Sequence, residues 1–325
     1  MEKELTTLAA PVATTTEASK ASLPQENSNA NERSAYRKQR WIFGLGGIAL
    51  LAIILGISWW QSPAFRTYVE DVPPTFYYFL VAGFIFAMID GAIGMSYGIT
   101  STTFSLSMGI PPASASTAVH ISEILSCGIA GWMHQRMGNV NKKLFKILIL
   151  PGIAGAVIGA YLLSSLEHYA MYTKPLVSLY TLILGTVILL RAIRAQRKKH
   201  VTKKIKKIGL LGFGGGFIDA IGGGGWGSIV LSSLIAGGRH PRFSLGTVKA
   251  TRFFIAMLSS LTFITVLYHV HWDAVLGLVV GSAIASPIAA RVSNKISAKT
   301  IMVAVAVIVI LVSMKSIYSF VAKII

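Results

Sequence analysis

The chain has 325 residues, 53% of them hydrophobic and only 13% charged, with a formal net charge of +18. Soluble domains carry about a quarter charged residues, so an ordinary soluble domain is excluded. The apolar runs do not alternate in short segments, which excludes a β-barrel, and the basic residues cluster in joints between them, which explains the charge without nucleic acid.

Residues 1–40 are rich in Thr, Ala, Ser and Asn, lack an apolar stripe and end in Arg33, Arg37, Lys38 and Arg40. They read as a disordered cytoplasmic tail rather than a signal peptide. Residues 41–60 read as an additional N-terminal transmembrane helix, with Trp41 at one interface and Trp59 and Trp60 at the other.

A first transmembrane repeat follows at 76–194. Its opening stretch, 76–109, begins and ends outside by charge, yet is too short for two crossings of about 20 residues each plus a turn. A hairpin of two short helices is therefore expected, broken around Gly91, Gly94 and Gly98. Helices at 114–132, 144–166 and 175–193 complete the repeat, with Arg136, Lys142, Lys143 and Lys146 at an inner joint. The basic run from Arg191 to Lys207 marks a cytoplasmic loop at 195–207.

The second transmembrane repeat, 208–325, solves in the same way but upside down. Its hairpin, 208–238, turns at Gly222, Gly223, Gly224 and Gly225, and helices at 244–267, 274–292 and 301–320 follow. The duplication is visible in the residues. At an offset of 129 and without gaps, Asp90 meets Asp219, Gly94 meets Gly223, Tyr97 meets Trp226, Gly98 meets Gly227, Gly109 meets Gly238 and Pro112 meets Pro241. The predicted fold is an all-α polytopic membrane protein, an inverted repeat with two glycine-rich discontinuous helical hairpins. Interrupted helices in paired repeats are where secondary transporters bind their cargo.

Ionisable residues within membrane spans are costly and default to functional candidates. The repeat pairs them as Asp90 with Asp219, His120 with Lys249, and Glu123 with Arg252. His120 and Glu123 lie three residues apart on one helix face, as do Lys249 and Arg252. These residues suit an anion site: Lys249 and Arg252 supply positive charge, and Arg offers a planar fork for an oxyanion. Gly94, Gly223 and Gly224 leave backbone N–H groups accessible, and Ser101, Thr102 and Ser228 offer hydroxyls. His120 and Glu123 complete the site. The competing reading is a closed structural network, in which Glu123 pairs with Arg252 while Asp90 and Asp219 cap the helices that follow them or couple transport to an ion.

The order Gly214-Gly215-Gly216-Phe217, Gly222-Gly223-Gly224-Gly225-Trp226-Gly227 and Leu245-Gly246-Thr247, matched by a first copy reading Gly91-Ala92-Ile93-Gly94-Met95, resembles the TauE/SafE sulfite-exporter family of membrane anion transporters. The resemblance runs from Phe76 to the C-terminus. It implies a bacterial cytoplasmic-membrane exporter of a small anion such as sulfite or an organosulfonate. The chain departs from the family in a first copy poorer in glycine, and in Lys249 and Arg252 after Gly246-Thr247, where the family places a small polar residue.

An anion channel is the first rival function. An intramembrane hydrolase is the second, because Gly94-Met95-Ser96-Tyr97-Gly98 spells Gly-x-Ser-x-Gly. That pattern makes a nucleophile elbow only at a strand-to-helix turn, so no catalytic residue and no enzyme activity are expected. No cofactor or metal is expected either, since His269 and His271 suit an interface. The expected partners are the small anion and membrane lipids, with a homodimer left open and no nucleic acid.

Overall fold

The computed structural model describes Thr67 and residues 70–194, 207–292 and 298–324. The expected tail at 1–40, the helix at 41–60 and nearly all of the loop at 195–207 lie outside the described residues. Residues Pro73–Ile325 form one compact unit, and every regular element described in it is helical.

Among the described residues, ten α-helices follow in order: α1 Pro74–Ile93, α2 Tyr97–Ser107, α3 Pro112–Arg136, α4 Lys142–Ser165, α5 Ala170–Arg194, α6 Ile208–Gly222, α7 Ser232–Ala236, α8 Pro241–Val266, α9 Trp272–Val292 and α10 Ala298–Ile324. A 3-10 turn, Glu167–Tyr169, precedes α5, and a π-helical segment, Trp226–Leu231, runs directly into α7. α3 and α8 both start on a proline, whose missing N–H is no loss in a first turn. Asn141 caps α4 by accepting from the Leu144 N–H at 2.9 Å.

Among the described residues, five helices are long and apolar enough to cross a membrane: Pro74–Gly91, Lys142–Ser165, Glu167–Ile193, Pro241–Val266 and Lys299–Ala322. The outer face supports that reading, since Leu150, Leu176, Leu210 and Leu311 stand exposed. α3 is equally long but falls outside this set because it is polar on the inside. It buries Ser114, Ser116, Thr117, His120, Ser122 and Glu123.

Glycines bring the helices into contact. A Cβ added to Gly281 on α9 would overlap the Leu80 carbonyl of α1, and one on Gly155 of α4 would overlap the Phe213 carbonyl of α6. Gly277 and Gly281, and Gly155 and Gly159, are spaced four apart, the small-residue spacing that lets membrane helices approach closely. The packing partners exchange between the two sequence copies. α1 packs on α9 as α6 packs on α4, while α3 packs on α8 and α5 on α10.

Two expectations need correction. The first hairpin is not built of two short helices: α1 has 20 residues and is long enough to cross alone, whereas α2 has 11. The break follows the capping chemistry at Asp90 and Gly94, not a set depth in the bilayer. The helix expected from residue 175 begins at Ala170, with Pro175 inside it.

Candidate functional site

Both breaks are made in the same way. α1 ends on Gly94, at φ 79°, and α6 ends on Gly223, at φ 64°, left-handed positions that favour glycine. Asp90 Oδ1 accepts from the backbone N–H of Ser96 at 3.0 Å and of Tyr97 at 3.3 Å. Asp219 Oδ1 accepts from the Trp226 N–H at 2.8 Å. Each aspartate therefore caps the helix that follows its break.

The two breaks also cross each other. A Cβ on Gly98 would lie 2.7 Å from Gly224 Cα, and one on Gly227 would lie 3.0 Å from Met95 Cα. These contacts interchange at the repeat offset. Glycine is needed here because backbone meets backbone.

Four ion contacts surround the crossing. Lys249 Nζ lies 2.7 Å from Asp90 Oδ2. Arg252 Nε donates to Glu123 Oε2 at 2.8 Å, and its Nη2 lies 2.5 Å from that oxygen and 3.1 Å from Asp219 Oδ1. His120 Nε2 lies 3.4 Å from Asp219 Oδ2. Under the repeat, the Asp90–Lys249 pair maps onto Asp219–His120, and Glu123–Arg252 maps onto itself with its members exchanged. The aspartates thus cap the breaks, and the three carboxylates pair with Lys249 and Arg252.

His120 carries a specific constraint. Its Nδ1 lies 2.8 Å from the Ser116 carbonyl, which only accepts, so Nδ1 carries a hydrogen. A neutral ring would then leave the unprotonated Nε2 3.4 Å from the Asp219 carboxylate, whereas a proton on Nε2 would make that approach an ion pair.

Access differs between the halves. The Asp90 and Lys249 side chains are 16% and 15% exposed, and they line a cavity of about 240 Å³ with Tyr97, Met133, His134 and Met137. Asp219 and His120 are 0% exposed. Between the halves a gap of about 10 Å³ touches Asp90, Gly98, Glu123, Gly224, Lys249 and Arg252. That is room for about one water.

The remaining predicted residues sit close by but are differently engaged. Ser228 Oγ donates to the Met95 carbonyl at 2.9 Å, tying the second break to the first. Ser101 and Thr102 are buried on α2, with no hydrogen-bond partner for either hydroxyl among the described residues. Thr102 Oγ1 presses on the space beside Gly223.

Three residues at this centre escaped the sequence reading. Tyr180 O–H donates to the Gly224 carbonyl at 2.6 Å. Arg191, read as part of the basic loop, donates from Nη1 to the Ser228 carbonyl at 2.9 Å. Tyr97 O–H donates to Ser122 Oγ at 2.9 Å. Tyr97 was within reach because it aligns with Trp226. Tyr180 was not, since its counterpart at the same offset is Val309.

The fold and centre define a helical membrane protein with two broken helices crossing at a buried ion network. Residues 79–316 match the sulfite exporter TauE/SafE family. The chain belongs to that family. It is also similar to the probable membrane transporter protein YtnM of Bacillus subtilis (strain 168), 40% identical over 191 residues. The match covers 57% of this chain and 63% of that relative, less than two thirds of its length. No solved structure matches the chain.

Proposed function

We propose that the protein is a secondary carrier that exports a small oxyanion, sulfite or an organosulfonate, across the bacterial cytoplasmic membrane. Lys249 and Arg252 are the anion's ligands in this reading. The observation that carries it is the pair of cations at the crossing of two broken helices, one of them at the end of an open cavity. Half-broken helices at a repeat interface are the usual site of cargo binding. The repeats are inverted and the N-terminus is cytoplasmic, on the charge distribution. The cavity at the C-terminal end of α3 is then the cytoplasmic entrance, and the conformation faces inward.

The gap at the centre is too small for an oxyanion, so the carboxylates must yield before the ligand enters. Asp90, Asp219 and Glu123 against Lys249 and Arg252 leave one negative charge when His120 is neutral. A proton on His120 brings the centre to zero. A second proton on Glu123 makes it positive and releases Arg252 from one of its two carboxylates. Proton binding thereby creates the anion site, and the closely placed His120, Glu123 and Asp219 titrate as a coupled set. A centre that closes down to one water suits alternating access better than a channel, which conducts through a continuous path.

Flux of sulfite into proteoliposomes tests this. Wild-type flux should saturate with concentration, and Lys249→Gln and Arg252→Gln should each reduce it at least tenfold while inserting normally. Undiminished flux in both variants would remove the basis of the site, and a non-saturating current would indicate a channel.

A further inference from the structure

A second cavity, of about 470 Å³, lies away from the ion network, among α3, α4 and α8. Its volume is within the range of about 300–1,000 Å³ usual for small-molecule sites. Gly131, Phe145, Phe253 and Phe254 wall it, and Lys142 and Lys146 also line it. Phe254 meets Phe145 and Phe253 edge-on, with ring centroids 5.9 and 5.0 Å away. α3 and α8 meet closely along the inner wall of this space: a Cβ on Gly131 would lie 2.9 Å from Ala250 Cα, and one on Gly128 would lie 3.1 Å from the Phe253 ring.

The charges are all of one sign. Lys142 and Lys146 are one turn apart on the same face of α4 and both exposed. Next in sequence to Gln135, which lines the cavity, the Arg136 guanidinium lies 4.3 Å from the centroid of the Trp132 ring, another residue of the lining. No acidic residue lines the cavity among the described residues, and none of these three cations has an ion-pair partner there. Trp132 stands exposed near the C-terminal end of α3, and an exposed tryptophan at the end of a membrane helix suits the headgroup level.

We propose that this groove is a binding site for an anionic phospholipid. One acyl chain lies against Phe145, Phe253 and Phe254, and the headgroup phosphate sits on Lys142 and Lys146 with Arg136 alongside. A soluble anion does not fit as well, because the walls are aromatic and aliphatic and the cations stand only at the rim. The lipid would touch α8 at Ala250 and Phe253, each one residue beyond Lys249 and Arg252. The proposal does not depend on what the carrier moves.

The test uses the purified full chain in detergent, titrated with phosphatidylglycerol, phosphatidylcholine or inorganic phosphate. Bound lipid is counted by native mass spectrometry and thermal stability is recorded alongside. Phosphatidylglycerol should bind about thirtyfold more tightly than phosphatidylcholine, the gain expected for two lysines beside an anionic headgroup. It should raise Tm, and inorganic phosphate should not. The double variant Lys142→Gln/Lys146→Gln should lose the preference while keeping its lipid-free Tm. Val140→Trp, which fills the groove and leaves the lysines in place, should lose binding of both lipids. Equal binding of the two lipids by the wild type, or an unchanged preference in either variant, would overturn the proposal. A Tm raised by inorganic phosphate alone would do the same and would mark a simple anion site.

Discussion

Asp90 with Lys249 and Asp219 with His120 occupy equivalent positions in the two copies, yet one pair stands in a cavity and the other is fully buried. The geometry of the breaks is shared, down to the backbone N–H groups that each aspartate caps. What differs is the cationic partner and its contact with water. A lysine keeps its charge beside a carboxylate across the physiological range. A histidine gains or loses its charge within it. The wet half therefore holds a fixed charge within reach of the cavity, and the dry half holds an ionisable imidazole shut away from it. Arg252 sits between them and bonds to Glu123 and Asp219 together.

The largest expected effect comes from removing the two aspartate charges in turn. Asparagine keeps the cap, so the substitution isolates the charge. Asp219→Asn strips a carboxylate from both Arg252 and His120 in a dry site and should cost about 3–5 kcal/mol. Asp90→Asn acts on a pair that still meets water through the cavity and should cost measurably less. Thermal or urea unfolding in a fixed detergent measures both. Equal losses would show that the halves do not differ in the way their burial implies.

A mid-sized effect is expected from making the halves alike. Wild-type affinity for an organosulfonate, whose own charge is constant, should rise as pH falls between about 8 and 5. The sign follows from the charge count, because protons are needed to make the centre positive. His120→Lys places a fixed charge where the titrating one stood and should flatten that dependence, as should Glu123→Gln. A dissociation constant that ignores pH in the wild type would reject proton coupling and leave these groups as structural partners.

The smallest perturbation sharpens the comparison of orientation. Ser107 and Ala236 are equivalent in the repeat and both exposed. With Cys127 replaced, Ser107→Cys should react with an impermeant thiol reagent from outside and Ala236→Cys from inside, with no measurable loss of flux. Labelling from one common face would rule out inverted repeats.

Much of this was legible before any coordinates. Asp90, Gly94, Asp219 and Gly223 could be read as caps and helix ends because a left-handed position and an acceptor ahead of free N–H groups are local requirements. The pairing of Glu123 with Arg252 was legible because a buried charge needs an opposite one, and the offset matched them. The helix positions followed from apolar length and the placement of Lys and Arg.

Tertiary structure alone decided which cation meets each aspartate. That Lys249 goes to Asp90 while Arg252 bridges Glu123 and Asp219 depends on how α8 crosses α1, α3 and α6, and no local rule carries it. The same holds for Gly98 and Gly224. Their sequence context marks flexible turns, but packing makes them the point where two backbones touch, because only a residue without a Cβ fits there. Tyr180 and Arg191 donate to carbonyls at the breaks from a helix whose sequence reads as a plain span. The sequence thus determined the caps, the spans and the inventory of buried charge, since these follow from near neighbours and from solvent. The wet and dry halves were decided by packing, since exposure is a property of the surroundings of a pair and not of its residues.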